Sequence, residues 1–150
     1  MSLKQKLQEE VKVSLKAGDS ATAGVLRLLI SSLNNKAIDK KGKTGSEELT
    51  DEEMIQVLMS EAKKRKESID IFTKGGRADL ADKEKAELEV VQRYLPKQMS
   101  KEEIDKAVGE ILKKSDAKEI GLAMKAVMAE LKGKADAGMV SQAVKERLGK

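Results

Sequence analysis

The stretch TDEEMIQVLMSEAKKRKESIDIF, residues 50–72, contains the pattern that decides the fold class of this 150-residue chain. Thr50 followed by Glu53 is a capping-box pattern, in which the two side chains bond each other's backbone N–H groups at the start of a helix. From Met54 to Phe72 the residues of one stripe recur every three or four positions, which is the period of an α-helix. The stretch therefore predicts one long helix with a buried face.

Arg65 lies on this buried face although it is charged. A second apolar stripe runs over residues 81–95, where Glu84 interrupts it, and KGG at 74–76 separates the two stripes. An unpaired charge is heavily penalised in a protein interior. We therefore predict an antiparallel helical hairpin in which Arg65 and Glu84 form a structural ion pair. The alternative is that Arg65 lines a functional groove.

Apolar residues elsewhere also recur at three and four positions, and no strict alternation indicates a strand. The chain has one Phe, one Tyr and no Trp, so its core must be aliphatic. An all-α fold follows from both observations. The predicted helices cover residues of about 3–16, 20–40, 50–73, 77–94 and 100–115. A sixth helix is predicted from a start signal at Asp116 and Glu119 to the break at Gly133, and a last helix after Asp136.

A domain boundary is predicted at Leu95-Pro96. The residue before a proline is biased away from the helical region, and this is the one proline in the chain. The charge balance also changes there: residues 1–95 carry 18 basic and 17 acidic side chains, whereas residues 96–150 carry 12 and 9. The prediction is a four-helix domain over residues 1–95 and a smaller three-helix domain over residues 96–150.

The composition argues against most catalytic chemistry. The chain has no Cys and no His, which removes disulfides, thiol nucleophiles, the usual neutral-pH acid–base residue and the commonest metal ligand. We expect no catalytic residue, no metal and no cofactor.

No apolar run approaches the roughly 18 residues of a membrane span, and the N-terminal MSLKQKLQEEV is charged throughout. A cytoplasmic protein without a membrane partner is therefore predicted.

The short break Lys132-Gly133-Lys134 separates the last two predicted helices. It lacks the G-x-x-x-x-G-K-[ST] spacing of a nucleotide-binding loop, and no strand precedes it. Gly133 is expected to be the left-handed cap of one helix, and Asp136 the N-cap of the next. Lysines surround the last three helices without aromatic residues for base stacking, so an RNA partner would be bound through its phosphates and shape.

Several stretches resemble the YqeY-like family, whose C-terminal module is similar to the tail of one subunit of the aspartyl/glutamyl-tRNA amidotransferase. In the C-terminal part they are YLPKQMSKEEI (94–104) and IGLAMKAVMAELKGKADAGMVSQAVKERL (120–148). In the N-terminal part they are LRLLISSLNNKAID (26–39), EAKKRKESIDIF (61–72) and GRADLADKEKAELEVVQRYLP (76–96). The resemblance therefore covers nearly the whole chain.

The resemblance implies an all-helical two-domain protein whose tail module helps to hold tRNA. It implies RNA-facing candidates at Lys125, Lys132, Gly133 and Lys134, and Lys118 is a further basic candidate nearby in the sequence. The expected function is a non-catalytic accessory protein that binds tRNA or another structured RNA. One alternative is a protein–protein adapter that docks on an amidotransferase or another translation factor. The other is a carbon–nitrogen ligase with glutamine as amido donor, a family-level description for which this sequence offers no catalytic residues.

Overall fold

A computed structural model describes residues 2–149, which form seven α-helices and no β-strand. The all-α fold predicted from the helical period is therefore confirmed. The helices are α1 (Leu3–Lys16), α2 (Ser20–Thr44), α3 (Asp51–Lys74), α4 (Ala78–Gln92), α5 (Lys101–Lys114), α6 (Ile120–Leu131) and α7 (Ala137–Leu148).

Local capping chemistry sets most of the helix starts. The capping box predicted at Thr50 and Glu53 is present in both directions, and Ser100 with Glu103 forms a second one at α5. The helix start predicted from Asp116 and Glu119 is wrong, because α6 begins only at Ile120 and no side chain caps it. The preceding backbone is instead held outside the helix by a bond from Ala117 N to Ser115 Oγ.

The chain divides into two compact units, Met1–Leu95 and Pro96–Lys150, which we call unit 1 and unit 2. Unit 1 contains α1 to α4, and unit 2 contains α5 to α7. That each unit folds on its own as a domain stays a prediction.

Each unit has its own aliphatic core. In unit 1 the largest fully buried side chains are Leu7, Leu26, Leu29, Leu33, Leu58 and Val91. In unit 2 they are Ile104, Val108, Val127, Val140 and Val144. Burying each such side chain contributes about 1.5–3 kcal/mol to folding. These buried side chains determine which helix faces remain for polar side chains.

Candidate functional site

The turn between α6 and α7 is fastened to the segment that precedes α5. Met99 N donates to Lys134 O at 2.9 Å, and Gln98 Nε2 donates to Gly133 O at 3.1 Å. Gly133 has a φ of 82°, so its predicted left-handed conformation is confirmed. Two carbonyl groups of the Lys132-Gly133-Lys134 turn thus accept hydrogen bonds from within unit 2. These bonds hold the backbone of the turn in one geometry.

Asp136 continues this turn into α7. Its Oδ1 accepts hydrogen bonds from Gly138 N at 2.7 Å and from Met139 N at 3.1 Å. This is the N-cap predicted from the sequence, and it satisfies two backbone donors that the first helical turn leaves without partners. Asp136 therefore also fixes the C-terminal end of the lysine turn, where the chain enters α7.

The basic candidates of unit 2 are exposed at Lys118, Lys125, Lys132 and Lys134. Within residues 2–149, no carboxylate lies within 4.0 Å of the ammonium groups of Lys118, Lys125 or Lys134. In unit 1 some of the described lysines, such as Lys40, pair with a carboxylate, whereas others, such as Lys36, do not. Three of the candidate lysines in unit 2 therefore carry positive charge that no close ion pair compensates.

These candidates do not form a single cluster. Lys132, Gly133 and Lys134 share one turn, and Lys125 lies seven residues earlier on α6, a rise of about 10 Å along the helix axis. Lys118 precedes α6 and lies at its other end, about 18 Å away along the axis of this 12-residue helix. The site is therefore centred on the turn, and Lys118 is remote from it.

Sequence reasoning missed one fixed cation of unit 2. The guanidinium of Arg147 lies against α5, where a Cβ on Gly109 would come within 2.7 Å of it. Its Nη2 donates to Asp105 O at 2.9 Å. A glycine in a helix interior costs about 1 kcal/mol relative to alanine, so Gly109 was the available signal that something approaches closely there.

Arg65 of unit 1 is buried, with 7% of its surface exposed. Its Nη1 donates to Glu61 Oε2 at 3.1 Å, and its Nε lies 3.9 Å from Glu87 Oε2. The predicted ion pair with Glu84 is therefore wrong. Arg65 lies nine residues before the end of α3, and Glu87 lies nine residues after the start of α4, so these two residues reach the same level of the hairpin. Glu84 lies about 4.5 Å nearer the turn.

The carboxylate of Glu61 accepts hydrogen bonds from three side chains, among them the buried Arg65. Its Oε1 accepts from Ser32 Oγ at 3.1 Å and from Lys64 Nζ at 3.4 Å, in addition to the bond from Arg65 to Oε2. Burial acts to raise the pKa of Glu61, but the hydrogen bonds from Arg65 and Ser32 and the charge of Lys64 outweigh it and lower that pKa below its ordinary value. Glu61 is thus a carboxylate at neutral pH.

The described residues provide neither a metal cluster nor a membrane-spanning helix. In the part of the chain from 2 to 149, no three acidic side chains stand close enough together to hold a metal ion. None of the helices in that part combines the length and the hydropathy needed to cross a membrane.

Comparison with known proteins gives one family match and several relatives. A family model described as Yqey-like protein matches residues 4–148. Proteins named "Altered inheritance of mitochondria protein 41, mitochondrial" are similar to this chain. The one from Lachancea thermotolerans is 32% identical over 108 residues, which are 71% of this chain and 56% of that protein. The one from Vanderwaltozyma polyspora is 32% identical over 127 residues, which are 83% of this chain and 66% of that protein.

The names of these relatives overturn the cytoplasmic location predicted from the sequence, because they describe mitochondrial proteins. The prediction used a charged N-terminal stretch and the lack of long apolar runs, and neither feature distinguishes one aqueous compartment from another. In addition, the matched part of this chain spans 56% to 66% of the length of these relatives, so their full-length properties do not transfer directly.

Proposed function

The chain belongs to the YqeY-like family, and on that premise we propose that it is a non-catalytic accessory protein that binds tRNA or another structured RNA. The observation that carries the proposal is the fastened turn at Gly133, which presents exposed lysine side chains. Lys134 and the nearby Lys125 have no carboxylate within 4.0 Å among residues 2–149. The resemblance of residues 94–148 to the tail of a tRNA amidotransferase subunit supports the same partner.

The chemistry of unit 2 favours recognition of phosphates and shape. Lysine ammonium groups neutralise phosphates and release counterions, which gives affinity without sequence specificity. Residues 96–150 contain no Phe, Tyr or Trp, so stacking of unpaired bases on aromatic rings does not contribute there. A folded RNA, whose phosphates are fixed in space, suits a turn whose backbone is also fixed.

A salt series tests this proposal. Binding of purified protein to tRNA is measured by filter retention from low to physiological salt. We expect log K to fall linearly with log salt with a slope of about −0.9 for each phosphate contact in duplex regions. Negligible binding at low salt, or binding that does not depend on salt, would contradict the proposal.

A protein–protein adapter in translation is the second candidate. The observation that favours it is the exposed apolar pair at the start of α6, where Ile120 is 47% and Leu122 57% exposed. A protein partner would be retained after nuclease treatment in a pull-down, whereas a partner bridged by RNA would be lost.

An intrinsic carbon–nitrogen ligase activity is not proposed, because the chain has neither His nor Cys. The purified protein should release no ammonia from glutamine.

A further inference from the structure

A groove of about 430 Å³ runs between α2 and α3 in unit 1. Its size falls within the range of about 300–1,000 Å³ that is typical of small-molecule sites. Polar side chains line it from both helices: Ser32, Asn35 and Lys36 from α2, and Gln56, Ser60 and Lys64 from α3.

The polar lining follows from the helical period. Residues three or four apart lie on one helix face, so Gln56, Ser60 and Lys64 form one polar stripe along α3. Directly beside these stripes, Leu33 of α2 and Leu58 of α3 are buried in the core of unit 1. The core contact fixes how the two helices pack and leaves an open channel with polar walls next to it.

Glu61 is the one acidic residue among those that line the groove, and its charge is partly compensated inside the fold. The Arg65 side chain that bonds it is only 8% exposed, so this pair is shielded from solvent. Ser32 and Lys64 occupy the other carboxylate oxygen. Glu61 therefore orients its neighbours, and Arg65 compensates its charge only in part, because that guanidinium also lies 3.9 Å from Glu87 Oε2.

The groove consequently carries positive charge. The ammonium group of Lys36 is exposed and has no carboxylate within 4.0 Å in the described part of the chain. The hydrogen bond from Lys40, at 2.9 Å, and to a smaller extent the charge of Lys36 lower the pKa of Glu53, so that carboxylate is already bonded to Lys40. The side chain of Lys64 is 68% exposed, and Glu61, its partner, is shared with Arg65. Two ammonium groups thus face a site whose remaining lining consists of two hydroxyls, two amides, the apolar side chain of Val57 and the paired carboxylate of Glu61.

We propose that this groove binds the ribose-phosphate part of a nucleotide. Lysine ammonium groups bind phosphate, and Ser, Asn and Gln side chains bond phosphate and sugar oxygens in nucleic-acid complexes. None of the described residues that line the groove is aromatic, so the base itself is not gripped by stacking. A free nucleotide and one unit of an RNA chain present the same ribose-phosphate. The site belongs to unit 1 and does not depend on the lysine turn of unit 2.

The test is an NMR titration of the ¹⁵N-labelled full chain with AMP, ribose 5-phosphate, adenosine, inorganic phosphate and a short oligoribonucleotide. We expect AMP or the oligoribonucleotide to shift amide signals of residues 32–36 and 56–64 in a saturable way. Lys36→Gln should weaken that binding by about tenfold, the effect of losing one charge-assisted hydrogen bond. Lys63→Gln, a control on the same helix outside the groove, should leave it unchanged.

The arms of this titration separate the two sources of the ligand. Saturable shifts with AMP and ribose 5-phosphate, but not with adenosine, identify a free nucleotide. Groove shifts with the oligoribonucleotide alone identify a unit of RNA. Three outcomes overturn the proposal: no ligand shifts these signals, inorganic phosphate binds as tightly as AMP, or Lys63→Gln weakens binding as much as Lys36→Gln. Loss of tRNA binding in Lys134→Gln without loss of AMP binding would separate this site from the proposed function.

Discussion

Arg65 shows what a single residue can and cannot reveal from sequence. Its spacing on an apolar stripe places it in the interior, and it is buried there. Its partner could not be chosen from spacing, because Glu84 and Glu87 lie on the same face of α4, one turn apart. The choice depends on where α4 begins after the KGG turn, and the start at Ala78 brings Glu87 to the level of Arg65. Glu61, on the same helix four residues earlier, supplies the shorter ion pair.

Arg65→Ala should lower the free energy of unfolding by about 2–4 kcal/mol. The change removes a buried cation and leaves the Glu61 carboxylate with only Ser32 and Lys64 as hydrogen-bond partners. Denaturant unfolding followed by circular dichroism measures this. Lys66→Ala, at the exposed neighbouring position, is the control and should stay within about 0.5 kcal/mol of the wild type. Equal losses in the two variants would show that the buried pair has no special role.

Glu61 makes the stability of the protein depend on acid pH. Burial opposes the charged form, but the bonds from Arg65 and Ser32 and the charge of Lys64 prevail, so the folded-state pKa lies below the ordinary value of 4.5. A lowered pKa contributes stability that is fully present above that ordinary value and is lost as pH falls through the folded-state pKa. The stability difference between the wild type and Glu61→Gln should therefore be largest near neutral pH and shrink below 4.5. A difference that stays constant from neutral to strongly acid pH would contradict this assignment.

At the scale of single helices, local signals predicted more than long-range ones. The caps at Thr50, Ser100 and Asp136 were predictable because a cap involves residues two or three positions apart. The close approach of Arg147 to Gly109 was not, since it depends on how α7 packs against α5. The end of α2 was also misjudged: the helix continues past residue 40 to Thr44 and stops at Gly45, whose φ is 82°.

Two glycines inside helices provide a matched pair of substitutions. Gly24→Ala in α2 meets nothing within 4 Å and should raise the free energy of unfolding by about 0.5–1 kcal/mol through helix propensity. Gly109→Ala in α5 should give no such gain, because its methyl group displaces the Arg147 guanidinium and breaks the bond to Asp105. Thermal unfolding of both variants measures the contrast.

A double-mutant cycle isolates the cause of that contrast. In an Arg147→Ala background the methyl group of Gly109→Ala has nothing to displace, so the stabilising effect should return. If Gly109→Ala stabilises the wild-type protein as much as Gly24→Ala does, the guanidinium is not held against α5 as described.

At the scale of the whole molecule, the chain combines two compact units with different charge patterns. In unit 1 Lys40 and Lys64 pair with carboxylates, whereas Lys36, in the groove between α2 and α3, has no such partner within 4.0 Å among residues 2–149. In unit 2 Lys118, Lys125 and Lys134 have no close acidic partner among residues 2–149. The sequence indicated this asymmetry through net charge, but pairing depends on side-chain positions that composition does not contain.

A fragment of residues 96–150 tests whether unit 2 is a domain. A chain of about 60 residues buries only some 60% of its surface on folding, so a low but cooperative stability is expected. Helical circular dichroism and a sigmoidal melt would support independent folding. A fragment that is unfolded at low temperature would show that unit 2 depends on unit 1.

The measurement that tests the central claim most directly is the salt dependence of tRNA affinity for wild type, Lys134→Gln and Lys63→Gln. The two variants make the same change to an exposed lysine, one at the fastened turn of unit 2 and one on α3 of unit 1. We predict that Lys134→Gln weakens binding and reduces the slope of log K against log salt by about one, the loss of one phosphate contact, whereas Lys63→Gln changes neither. Identical affinities and slopes for all three proteins would contradict an RNA interface at this turn.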